Sequence, residues 1–208
     1  MIFPRPFSYD TECHVRRHGP CGYRDAQYFK PWLRDEFQFR CVYCLIRERW
    51  HPDGDFGFSV EHLRPRAKAQ NHVVDYDNLF YACCRCNAAK RDLEGILNPA
   101  EVPLADHLLV SSEGTITGLT EAGLELIRVC QLDRDRLVEF RRGVFQLLQL
   151  IQSGEDSRRP GFLARYFGFP TNLPRLASLR PPQGNSRPNG IALRWHELQS
   201  AGRLPDVY

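Results

Sequence analysis

At 208 residues with 42% hydrophobic content, the chain is long enough to bury a core as one domain or as one domain with appendages. No apolar run approaches bilayer-spanning length, which sets membrane-embedded classes aside. A net charge of +3 is too small by itself to announce a polyanionic partner.

The distribution of charge is less even than its sum. Residues 157–208 hold eight Arg against Glu197 and Asp206, a local +6, so residues 1–156 sum to −3. A basic tail of this kind can track a phosphate backbone. The competing reading is a coding preference, since the whole chain has 25 Arg against three Lys.

In chain order, Met1-Ile2-Phe3-Pro4-Arg5 lacks the charged and apolar regions of a secretory leader. Reducing conditions and a cytoplasmic setting are therefore the expectation, and Cys patterns there favour metal over disulfides. Cys13, His14, His18 and Cys21 place four soft ligands in nine residues. Their spacing matches no standard finger, so an ordinary loop is favoured over a second metal site. Tyr28 to Phe37 reads as a short amphipathic lead-in whose Trp32, Leu33 and Phe37, with Phe39, pack on the cysteine-rich module downstream.

Cys41-x-x-Cys44 and Cys83-x-x-Cys86, separated by 38 residues, supply the ligand set of a tetrahedral structural Zn2+ site. This spacing selects Cys83 and leaves Cys84 as an expected buried, inert thiol. Between the pairs, Phe58 to Leu63 alternates β-branched and aromatic residues and predicts a strand, as does Leu79 to Ala82. Asn87 to Leu93 holds good helix formers. The order is β-β-α, and it sets His62 on the first strand opposite Asn87 at the helix start.

Past Asn98-Pro99, Leu108 to Val110 and Thr115 to Thr117 predict a hairpin through Glu113-Gly114. Thr120 is an N-cap for a helix ending at Cys130, and Asp133 is the next candidate cap. The helix after it carries Leu137, Phe140, Val144, Leu147, Leu148 and Ile151 on one face. Arg134, Arg136, Arg141 and Arg142 then face solvent or substrate, and Gln152 to Glu155 ends the helix. Arg158 to Asn189, rich in Pro, Arg and Gly, reads as irregular, anchored by Phe162, Tyr166, Phe167 and Phe169. Its tail is expected to order only with a partner, before a last short helix over residues 191–201. The organisation is thus a lead-in (1–40), a zinc module (41–98), a hairpin-plus-helix extension (99–157) and an Arg/Pro-rich end (158–208).

Cys41-x-x-Cys44, Glu61-His62-x-x-Pro65-x-x-Lys68, Asp77-Asn78-Leu79 and Cys83-x-x-Cys86-Asn87-x-x-Lys90 succeed one another in an order that resembles the HNH endonuclease motif. The resemblance covers residues 41 to 92. It implies an α+β fold: a zinc-stabilised ββα-metal (His-Me finger) nuclease core with a helical C-terminal extension. It further implies His62 as the general base that activates water, an apt role for a largely neutral imidazole. Glu61 and Asn87 would be the protein ligands of one Mg2+ or Mn2+, and Asn78 the clamp on the loop between the strands. Two positions depart from the commonest pattern, Asn87 standing for His and Glu61 for Asp. Beside such a centre, Arg64, Arg66, Lys68, Arg85 and Lys90 become candidate phosphate contacts, although Lys90 on a short helix is by default solvated.

The order after the motif also looks like the extension of HNH nucleases in Septu-type and retron-associated anti-phage systems, over roughly residues 95 to 145. The HNH resemblance implies DNA as substrate; the second implies a separate ATPase partner, and with no Gly-x-x-x-x-Gly-Lys-Ser/Thr loop in this chain any nucleotide control would come from that other polypeptide. Two alternatives stand beside it: a non-catalytic zinc-stabilised binding or docking module, and an RNA-directed nuclease of the same fold.

Overall fold

The computed structural model describes residues 4–68, 70–153 and 159–208. Asp25 caps a 3-10 turn by accepting from the Gln27 N–H at 2.9 Å, and that turn runs into helix α1 (Lys30–Glu36), with Pro31 in its first turn, where a missing N–H costs nothing. Trp32 and Leu33 are wholly buried, as predicted from the amphipathic pattern. Gln38 and Phe39 then take positive φ values of 53° and 57° and reverse the chain into the first cysteine pair. There Cys41 N–H donates to Ile46 O at 2.8 Å and Leu45 N–H to Cys41 O at 3.0 Å, closing a tight knuckle.

Strands β1 (Phe58–His62) and β2 (Leu79–Cys83) pair antiparallel, with Phe58 opposite Cys83 and His62 opposite Leu79. Helix α2 (Cys84–Lys90) comes directly after β2 and packs on both strands. It starts three residues earlier than the sequence suggests, because Cys83 is itself the cap: its Sγ accepts from the Cys86 N–H at 3.4 Å. It stops at Lys90, where Arg91 turns to a φ of 51°. The ββα order stands, and with it the zinc-stabilised ββα core.

The predicted hairpin forms as β3 (Leu108–Val110) and β4 (Ile116–Gly118). Gly114 closes it at a φ of +80°, and a Cβ there would run into the Val138 carbonyl on the helix behind. Thr120 caps α3 (Glu121–Cys130) by accepting from the Gly123 N–H at 3.1 Å. Helix α4 (Asp135–Ser153) begins two residues beyond Asp133 and buries Leu137, Val144 and Leu148. Of the other predicted core positions, Phe140, Leu147 and Ile151 are half-buried. Where α4 ends lies partly outside the described residues.

Two of the arginines expected to face solvent do not. Arg141 is wholly buried over the Phe7 ring, its Nη1 donating to Leu132 O at 2.8 Å. Arg134 is half-buried beside the cysteine cluster. The stretch expected to be irregular opens instead with helix α5 (Arg159–Phe167). Phe167 and Phe169 anchor it, whereas Phe162 and Tyr166 stay 41% and 38% exposed. The segment Arg47–Trp50 grips the end of α5 and the chain just past it through Arg47 to Phe167 O (3.1 Å), Arg49 to Phe169 O (2.7 Å) and Trp50 Nε1 to Tyr166 O (2.7 Å).

The basic tail is a brace. Arg187 donates to His18 O at 2.7 Å and makes a two-pronged pair with Asp77 at 3.1 and 3.2 Å. Arg194, just before α6 (Trp195–Ser200), is buried against Asp35, and Trp195 Nε1 donates to Asp35 O. Two of the tail's arginines are thus taken up by internal carboxylates.

The N-terminal Cys/His cluster closes the same brace. His18 Nε2 lies 3.0 Å from Asp35 Oδ1 and His14 Nε2 lies 3.2 Å from Glu36 Oε1, so both imidazoles are spent on α1 carboxylates. Glu36 also accepts from the Arg17 and His18 N–H groups and from Tyr76 OH. Burial alone would raise its pKa, but the His14 contact, the Arg17 N–H and the His18 imidazole outweigh it and hold Glu36 at about 2, against 4.5 unperturbed. Its contribution is therefore complete above pH 4.5 and is lost as pH falls from there towards 2, on the order of 3 kcal/mol in all. Urea unfolding from pH 6 to 3 should show Glu36→Gln less stable at pH 6 and with a flatter acid limb than wild type.

Candidate active site

Four cysteines meet where the knuckle abuts the start of α2. The Sγ atoms of Cys41, Cys44, Cys83 and Cys86 all lie within 4.8 Å of one another, and all four residues are buried. Cys44 Sγ and Cys83 Sγ are 3.7 Å apart, close to the roughly 3.8 Å edge of a tetrahedron with Zn–S bonds of about 2.3 Å. This is the only such cluster among the described residues. A closed, dry, all-thiolate donor set fits structural zinc and offers no open position for substrate. Burial would lower the pKa of Arg134, but the charge of Cys86, Cys44 and Cys83 raises it, which places its guanidinium as counter-charge to the cluster. Cys84, expected to be buried, is exposed, because the helix it opens turns it away from the ligands.

The strand pairing then sets the chemistry. His62 ends β1, 7% exposed, and its Nε2 lies 2.9 Å from Val73 O in the loop between the strands. A carbonyl only accepts, so Nε2 carries the proton and Nδ1 of the neutral ring keeps its lone pair. Burial pushes the His62 pKa below 6.5; the Val73 contact opposes this, and the charges of Arg66 and Lys90 reinforce it. The ring is thus an unprotonated base at neutral pH.

Asn78 holds that loop from inside. Its Oδ1 accepts from the Arg64 N–H at 2.8 Å while Nδ2 donates to Arg64 O at 3.1 Å and to His72 O at 3.0 Å. The clamp therefore ties the turn after His62 to the residue just before Val73, the carbonyl that sets the tautomer of His62. Asn78→Ala should lower stability by about 1–2 kcal/mol, since three hydrogen bonds between a buried amide and partly buried main chain are lost. Chemical denaturation checks the value.

Asn87, on the first turns of α2, donates through Nδ2 to Ser59 Oγ at 2.7 Å and Val60 O at 3.3 Å. Among the described residues nothing donates to its Oδ1, the atom that a hard cation would use. Glu61 is 2% exposed, and its Oε1 already meets Lys90 Nζ at 2.7 Å and Tyr43 OH at 3.4 Å. Burial raises its pKa, with Lys90 and Tyr43 pulling the other way. A carboxylate and an amide oxygen are a donor set that fits Mg2+ or Mn2+ in kind, but Glu61 is shared with an ammonium.

Of the five candidate phosphate contacts, Arg64, Arg66, Lys68 and Arg85 are exposed. Lys68 lies 3.4 Å from Glu94, and Arg85 donates to Gln131 at 3.1 Å. Lys90 is corrected: it is wholly buried and cannot touch a phosphate as placed. The sequence did carry a signal for this, because Asn87 and Lys90, three apart, share the helix face that meets β1. Val73 and Tyr43 carried none, since a backbone carbonyl and a knuckle tyrosine become partners only through folding. Two clefts, of about 330 and 570 Å3, are lined by none of His62, Glu61 and Asn87.

Comparison with known proteins agrees with this geometry. Residues 41–93 match the family model for HNH endonuclease. No curated protein matches the chain. Among the described residues no helix is long and apolar enough to cross a membrane.

Proposed function

We propose that the chain is a metal-dependent endonuclease that hydrolyses phosphodiester bonds in DNA, with the HNH domain of residues 41–93 as its catalytic unit. The observation that carries this reading is the Nε2–H of His62 committed to Val73 O, which leaves Nδ1 as the proton acceptor. In the proposed mechanism Nδ1 takes a proton from the water that attacks phosphorus. Asn78 steadies the ring's acceptor by holding His72, next to Val73, and Arg64, two residues past His62. Glu61 and Asn87 Oδ1 would hold a divalent cation, which would supply positive charge to offset that at phosphorus and on the leaving 3′ oxygen. The products are 5′-phosphate and 3′-hydroxyl ends.

Arg64, Arg66 and Arg85, exposed around this centre, are assigned to the substrate backbone, with Lys68 after release from Glu94. Such contacts fix register and carry no base readout, so target choice falls to the Arg-rich flanks or a partner, or is weak. We place the protein in the cytoplasm as nuclease effector of an anti-phage system with a separate ATPase. That part of the proposal rests on the hairpin, helix, helix order after the motif.

The experiment is cleavage of matched duplex DNA, single-stranded DNA and RNA by zinc-loaded protein with Mg2+ or Mn2+. Cutting of duplex DNA supports the proposal; cutting of RNA alone moves it to an RNA-directed nuclease. Binding without cleavage under every metal would leave a docking module.

A further inference from the structure

Lys90 stands where the assigned base and the assigned metal ligand meet. Its Nζ is 2.7 Å from Glu61 Oε1 and 2.8 Å from the main-chain O of His62. The lysine side chain is 0% exposed and that of Glu61 2%. Lysine is almost never buried so completely unless paired, and breaking such a pair strands a charge in a poorly solvated place. If the protein is the metal-dependent nuclease proposed for it, on which this inference rests, Glu61 is also asked to hold a divalent cation, at about 2.0–2.1 Å. One carboxylate would then face an ammonium and a dication a few ångströms apart, and their repulsion is strong away from water. Even with Oε2 left to the cation, since Lys90 and Tyr43 meet only Oε1, the two cations compete for the same carboxylate charge.

We propose that Lys90 is a built-in counter-ion for Glu61 in the metal-free protein, and that a divalent cation binds only by displacing its ammonium from that carboxylate. The flexible four-carbon stem lets the head group swing while the helix stays in place. Lys90 also bonds the carbonyl of His62, so its movement links cation occupancy to the last residue of β1, the one that carries the base. Metal affinity in this chain is thus set partly by a residue that never touches the metal.

The test is Mn2+ binding, measured by electron paramagnetic resonance on the zinc-loaded full chain, for wild type, Lys90→Met, Glu61→Gln and the double variant. The expected result is that Lys90→Met binds Mn2+ at least roughly tenfold tighter than wild type, and that adding Glu61→Gln removes the gain. Equal or weaker binding by Lys90→Met, with Glu61→Gln still weakening the wild type, overturns the competition and leaves Glu61 a ligand. Binding that Glu61→Gln does not change in wild type overturns the metal assignment and the competition with it. The double variant, which removes both charges, controls for folding. If Lys90→Met alone unfolds early, its melting temperature is tracked against Mn2+. A larger rise than in wild type supports the proposal, and no rise overturns it.

Discussion

His62→Ala should lose DNA cleavage by roughly a thousandfold or more while keeping its zinc, its helix content and its melting temperature within a few degrees. Positioned general bases contribute on the order of 10²–10⁴ in rate, and the other histidine of the loop, His72, is turned to Asp75, its Nδ1 3.1 Å from Oδ2. Stability should hardly change because the ring's one hydrogen bond goes to a loop carbonyl that Asn78 already flanks. Plasmid nicking under Mg2+ and Mn2+, scored beside zinc content by mass spectrometry, reads both halves. Cleavage undiminished in a zinc-loaded His62→Ala protein would falsify the assignment of the base.

Removing the zinc should cost the fold. The knuckle, the end of β2 and the start of α2 share the four thiolates as their common anchor. Structural zinc contributes apparent binding energies of about 10–16 kcal/mol in small zinc modules, more than the roughly 5–15 kcal/mol by which whole domains are stable. Chelation at neutral pH, or Cys86→Ala, should abolish cooperative thermal unfolding together with nuclease activity. Cys84→Ser, one residue from a ligand but exposed, should change neither zinc content nor melting temperature measurably. Calorimetry on the three proteins separates these outcomes. Loss of zinc from Cys84→Ser would mean that the ligand set has been misassigned between Cys83 and Cys84.

How much of this could be read from the residues depends on the range of the interaction. The cysteine spacing, the alternation in Phe58 to His62, the Thr120 cap and the Gly114 turn are local signals, and each produced the element it promised. Failures cluster where a long-range partner decides the outcome. Arg141 reads as a solvent-facing arginine until Leu132 O and the Phe7 ring close over it. Arg187 and Arg194 read as a basic tail until Asp77 and Asp35 claim them. Cys84 reads as a buried thiol between two ligands until the helix phase, which the Cys83 cap sets, turns it outward.

By itself, then, the sequence determined the β-β-α order, the four thiolates and the identity of the groups available for chemistry, because these come from residue type and spacing. Only the tertiary structure decided their states. The proton of His62 is placed by Val73, and Glu61 is met by Lys90, an encounter in which strand and helix bring opposite charges together out of water.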